Sequence, residues 1–164
     1  MTSAEHIVAA ILKAKPCLPD ESILHDIAFQ WNDDELDGWD GGKDLHEMLR
    51  EEVILSLRSY FEKQDQELAE ALRYLLRQEI DNCSQAALSM PGLRVCYDQL
   101  AALKHYEDLE LLMEALTCSF DASLGLFKNR LFYLGHENVL NYLKQKGTNS
   151  ETMEQFEYYA TIED

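Results

Sequence analysis

Apolar residues recur three and four positions apart along nearly the whole chain, and no segment alternates apolar with polar positions for long. Spacing of three and four gathers side chains on one face of an α-helix, whereas alternation marks a half-buried strand. The pattern predicts an all-α protein without a sheet. The seven glycines and three prolines, Gly125 apart, fall where helix breaks are expected.

Thr2 and Glu5 have capping-box spacing and open a first predicted helix over 3–15, with Ile7, Val8, Ile11 and Leu12 as its stripe and Pro16 as its stop. A second helix is predicted over 20–31, ahead of a Gly-containing loop over 32–43. Asp44 and Glu47 repeat the cap spacing before a third helix over 44–63, with Leu45, Leu49, Val53, Leu57, Tyr60 and Phe61 inward. The cleanest stripe is Leu68, Leu72, Leu75, Leu76, Ile80, Cys83 and Ala87, in a fourth helix over 65–89 that Met90-Pro91-Gly92 ends. Segments 92–104 and 106–118 read as two helices or as one kinked helix. Further helices are predicted over 121–134 and 136–146, the first stopped by Gly135 and the second by Gly147. A last short one fits 151–160.

No solenoid period is present, so the expected architecture is a single-domain irregular helical bundle of about seven to nine helices with short connections. The bundle is expected over 1–147. Residues 148–164 form an acidic C-terminal tail able to fold as a short helix packed on the bundle. A chain of 164 residues with 46% apolar content suits one domain with a sizeable core.

Charge changes the picture. There are 31 acids and 14 bases, for a net charge of −17. Residues 20–52 hold twelve acids and two bases, and residues 151–164 hold five acids and no base, while the remainder is close to neutral. A binder of nucleic acid needs a basic footprint, and so does a protein docked on anionic lipid. Neither direct nucleic-acid binding nor membrane association is expected. Acids also keep a small protein soluble, but that accounts for a diffuse excess better than for two blocks.

The cysteines, Cys17, Cys83, Cys96 and Cys118, form no C-x-x-C pair. No secretory signal is visible, and no apolar run approaches the roughly 18 residues of a spanning helix. A cytoplasmic protein is expected, with reduced thiols serving as small buried apolar groups.

Motifs for reaction chemistry are missing. The five histidines show no metal-ligand spacing, and no phosphate-binding or nucleophile loop occurs. The chain is expected to be non-enzymatic and to need no cofactor. Residues 33–44 partly match a calcium loop, with Asp33, Glu35, Asp37 and Asp44 at the ligand positions and Gly38 at the sixth. Asp40 stands at the eighth position, which is usually aliphatic, Asp44 is shorter than the usual Glu, and no second loop exists to pair. No metal site is favoured: these four residues are ligands only on the alternative reading, and otherwise the segment is an acidic, Gly-containing loop with Asp44 capping the next helix.

Aromatics interleave with acids in two places. Asp33, Asp34, Glu35, Asp37 and Asp40 surround Trp39, which is expected at the surface between Gly38 and Gly41. Phe156 and Tyr159 lie among the acids of the tail. Aromatics supply desolvated contact area, and acids steer a basic partner. The expected function is therefore protein binding on a partner's basic surface, as an immunity protein or inhibitor, a mimic of DNA charge, or a small chaperone. Calcium binding through 33–44 is the alternative. A helical enzyme with a site assembled from scattered residues is the third.

Overall fold

The computed structural model describes residues 2–33, 42–85 and 91–162. Helix α1 (Ala4–Ala14) begins where Ser3 Oγ accepts the His6 N–H (3.3 Å), and buries Ile7 and Ile11 on one side. The cap is Ser3 rather than Thr2. Helix α2 (Glu21–Leu24) is a single turn continued by a 3-10 turn over His25–Ile27, shorter than the helix expected over 20–31. The Ala28 backbone turns extended, and the chain enters strand β1 (Trp31–Asn32). It pairs antiparallel with β2 (Lys43–Asp44), Trp31 opposite Asp44 and Asn32 opposite Lys43. This two-residue ladder closes the loop at its base, and it is the one strand pair among the described residues, where no sheet was expected.

Helix α3 (Glu47–Phe61) starts three residues later than expected. It turns Arg50, Val53, Ile54, Leu57 and Phe61 inward, while Leu45 and Tyr60, expected in the core, are exposed. Helix α4 (Ala69–Gln85) buries Leu72, Leu75, Leu76, Ile80 and Cys83, and Leu68 precedes it in the core. Ala87 lies outside the described residues. Helix α5 (Pro91–Leu103) is the principal neighbour of α4 and also packs on α3, which in turn holds α1.

Helix α6 (Leu109–Thr117) is separate from α5, because Lys104 adopts φ +60° and redirects the chain. The junction is tied to α4 through Arg73. Its Nε and Nη2 donate to the two Asp108 oxygens (2.5 and 3.0 Å), Nη1 donates to Glu70 (2.6 Å), and Nη2 also reaches Glu107 (3.0 Å).

The helix expected over 121–134 is two pieces: α7 (Phe120–Gly125) and a 3-10 turn over Lys128–Phe132. Leu126 turns extended between them. The Phe127 carbonyl accepts from the buried Tyr97 hydroxyl (2.9 Å) as well as from the Arg130 N–H of the 3-10 turn (3.2 Å). Gly135 sits at φ +89°, ψ 136°, and starts helix α8 (His136–Lys146) instead of stopping the preceding helix; Gly147 ends α8 in the left-handed region. Helix α9 (Ser150–Tyr159) is capped by Asn149, whose Oδ1 accepts the Thr152 N–H (2.9 Å). It packs on α8 and lowers Phe156 into the core, edge-on to Phe132. The architecture is an all-α bundle. Among the described residues, no helix is long and apolar enough to cross a membrane.

Candidate functional site

The acidic segment 20–52 is organised from beneath. Arg50 occupies a core position of α3, three and four residues before Val53 and Ile54, and its side chain is 0% exposed. A buried guanidinium has to be paired and hydrogen-bonded. Nη2 donates to Asp44 Oδ2 (2.6 Å), Nε to Glu79 Oε1 of α4 (2.6 Å), and Nη1 to the Ile27 carbonyl (3.4 Å). Asp44 Oδ1 accepts the backbone N–H groups of Gln30 (3.0 Å) and His46 (3.1 Å). His46 Nδ1 lies 2.8 Å from the Ala28 carbonyl, and the Phe29 N–H donates to Gln78 of α4 (2.7 Å). The strands entering and leaving the acidic loop are thereby fixed to α3 and α4.

Two carboxylates share this one cation. Burial pushes the Glu79 carboxyl up from its ordinary value, and the attraction of Arg50 offsets only part of that. Burial would pull Arg50 down, but Glu79 and then Asp44 outweigh it, and the guanidinium ends above its ordinary value. Glu79 is thus raised chiefly by its burial, and Arg50 by the two carboxylates that share it. Around it, Asn82 Nδ2 donates to Glu47 Oε1 (3.3 Å), and Glu79 Oε2 faces the bare backbone of Gly92.

The outward side of α3 is different. Met48 is 85% exposed and Leu55 49%, and the two lie on one face with Glu51, Glu52 and Ser56, lining a shallow open groove. Leu45 is exposed just before the helix. Isolated exposed apolar residues are ordinary; what distinguishes these is that they sit together at the end of the most acidic stretch of the sequence.

The residues singled out from the sequence fare unequally. Asp33 is exposed and accepts the Trp31 indole N–H (2.8 Å). Asp34, Glu35, Asp37, Trp39 and Asp40 lie outside the described residues. Asp44 is buried with both oxygens committed to Arg50 and to backbone donors, so it offers a cation no open ligand position and does not cap α3. This removes the twelfth-position ligand from the calcium alternative at 33–44. Among the described residues, no group of three or more His, Cys, Asp or Glu side chains is arranged to hold a metal ion. Phe156 is 0% exposed and therefore a core residue, not a partner contact; its ring faces inward because α9 needs an apolar anchor. Tyr159 is half-buried, and Tyr158 beside it carries the exposed ring.

Arg50, Glu79 and Asn82 were missed, as were Met48, Glu51, Glu52 and Leu55. The first three interrupt apolar stripes in phase with them, which is the sequence signature of buried polar groups. Met48 and Leu55, seven apart, stand off the inward stripe of their helix. Comparison with protein-family models, with curated proteins and with solved structures found no match.

Proposed function

We propose that this chain is a non-enzymatic binding protein that docks on the basic surface of another protein, using the outward face of α3 together with the acidic stretch beside it. The observation carrying this reading is the exposure of Met48 and Leu55 on either side of Glu51 and Glu52, at the end of the segment 20–52 of net charge −10. Acids at the rim raise the encounter rate with a cation-rich partner, and apolar side chains at the centre set how long the complex lasts. The buried Arg50 network supports the reading by holding that surface in a fixed register, so little ordering cost falls on binding. Partners with the required chemistry include a nuclease, a nucleic-acid-binding protein or a positively charged secreted client. The corresponding roles are an immunity protein or inhibitor, a mimic of nucleic-acid charge, and a small chaperone.

The experiment is an affinity pull-down at low and high salt with the wild-type chain and with Met48→Ala/Leu55→Ala. A basic protein retained at low salt, released at high salt and lost with the double variant is the expected result. Retention that ignores both salt and the double variant overturns the reading.

A further inference from the structure

A surface opposite in charge to the α3 face is built on α7. Phe120 and Leu124 stand four apart on one side of this short helix and are 77% and 67% exposed, whereas Ala122 and the following Leu126 are buried. Phe127 is exposed as well, just after the chain turns extended at Leu126. Two guanidiniums lie over its ring, Arg94 of α5 at 5.0 Å and Arg130 at 5.5 Å from the centre. Arg130 Nε donates to Asp98 Oδ1 (3.0 Å), while Arg94 is exposed and forms no ion pair among the described residues. With Lys128 and the exposed Asp121 included, this surface holds three bases against two acids, a net of +1 in a chain of net −17.

The outward face of α3 has the complementary pattern. Its exposed apolar side chains, Met48 and Leu55, flank Glu51 and Glu52, and the nearest outward-facing base on the helix, Arg58, is already paired with Glu62 (2.8 Å).

We propose that the α7 patch of one copy docks on the α3 face of a second copy of this chain, an inference that rests on the reading of α3 as a binding face. Phe120 and Leu124 then meet Met48 and Leu55, and Arg94 meets the Glu51–Glu52 pair. Exposed apolar clusters with polar rims mark interaction surfaces, and rims of opposite sign fix which two surfaces meet. The net charge of −17 on each copy opposes their approach at long range. At physiological ionic strength the Debye length is only about 8 Å, so acids farther apart than that are screened from one another, while charges in contact across a desolvated boundary are screened much less. The association covers the α3 face while no other partner occupies it.

The test is sedimentation equilibrium of the full chain over a concentration series in about 0.15 M salt. The average mass is expected to climb above the 18.9 kDa of one chain as concentration rises. Phe120→Ser/Leu124→Ser removes the patch and Met48→Ser/Leu55→Ser removes the face, all four at exposed positions, and each variant alone is expected to stay at the single-chain mass. Mixed in equal amounts, the two variants are expected to associate again, because the intact face of the first meets the intact patch of the second. Arg94→Glu, which leaves the apolar centre untouched, is expected to weaken the association. The first variant keeps its α3 face, so its capture of a basic protein in the pull-down upholds that reading even where copies do not associate, and failure of the pull-down leaves the mass measurement standing by itself. A wild-type chain that keeps the single-chain mass throughout overturns the proposal. So does a mixture of the two variants that does not associate, or association that Arg94→Glu leaves unchanged.

Discussion

Gly42 lies so close to the Trp31 indole that a Cβ at that position would sit 2.6 Å from the ring carbons. The contact seats the indole across the base of the β1–β2 ladder, where the Trp31 N–H also holds Asp33 and the Phe29 ring stacks nearby. Gly42→Ala is expected to destabilise by about 1–3 kcal/mol, the usual range for overpacking. Urea denaturation followed by Trp fluorescence measures this. In the background of Trp31→Ala the same change is expected to cost much less, since the obstructing ring is gone.

Arg50 separates two buried carboxylates. Arg50→Met leaves Asp44 and Glu79 with no cation and is expected to cost about 3–5 kcal/mol. Adding Asp44→Asn and Glu79→Gln is expected to restore part of the loss, because the stranded charges are then neutral. Equal stability of Arg50→Met and wild type in chemical denaturation would mean that the ion network contributes nothing.

The raised Glu79 carboxyl predicts a pH dependence of definite sign. Its proton is held more tightly in the native state than in the unfolded chain, where its value is near 4.5. Its stabilising contribution is therefore fully present below that value and is lost as pH rises through the higher native value. Glu79→Gln removes the titration. The stability of wild type minus that of Glu79→Gln is expected to fall as pH increases above about 4.5, measured by denaturation at a series of pH values. A difference that stays constant with pH would place the titration elsewhere.

On the outer face of α3 the expectation is opposite for stability and for binding. Met48→Ala and Glu52→Lys are expected to change stability by no more than about 0.5 kcal/mol, as exposed positions do. With a basic partner in hand, surface-plasmon kinetics should show charge reversal mainly slowing association at low salt, and Met48→Ala mainly speeding dissociation.

Phe156 anchors α9. Phe156→Ala is expected to destabilise by about 3–5 kcal/mol and to release the amides of Ser150–Tyr159 first in hydrogen exchange. Uniform protection across α8 and α9 in the variant would show that the helix is held by other contacts.

Helix positions were legible wherever a stripe ran undisturbed. In α4 the residues from Leu68 to Cys83 are buried as their spacing implied, and α8 was bounded correctly by Gly147. What periodicity could not convey was where tertiary contacts outbid the helix. Leu126 turns extended where the Tyr97 hydroxyl reaches the neighbouring Phe127 carbonyl, and Lys104 takes a positive φ to bring α6 against α4. The candidate surface was partly legible. Local charge density pointed to residues 20–52, yet Asp44 counted there as a surface acid although its partner, Arg50, pulls it inside. Nothing local distinguishes an acid that meets solvent from one that meets a buried cation six residues away. Phe156 misled for the converse reason: acids on either side describe the outer face of a helix and say nothing of the inner one.

One guanidinium receives the chain both before and after residues 34–41, at the Ile27 carbonyl and at Asp44. Loop closure is therefore settled by residues that do not belong to the stretch itself. Inserting or deleting residues within 34–41 leaves those attachments in place, and closing a loop of twice the length costs only about 0.6 kcal/mol more. In an evolving lineage the acidic loop and the scaffold could then change at separate rates. The bundle would be inherited nearly intact while the loop was rewritten in length and charge.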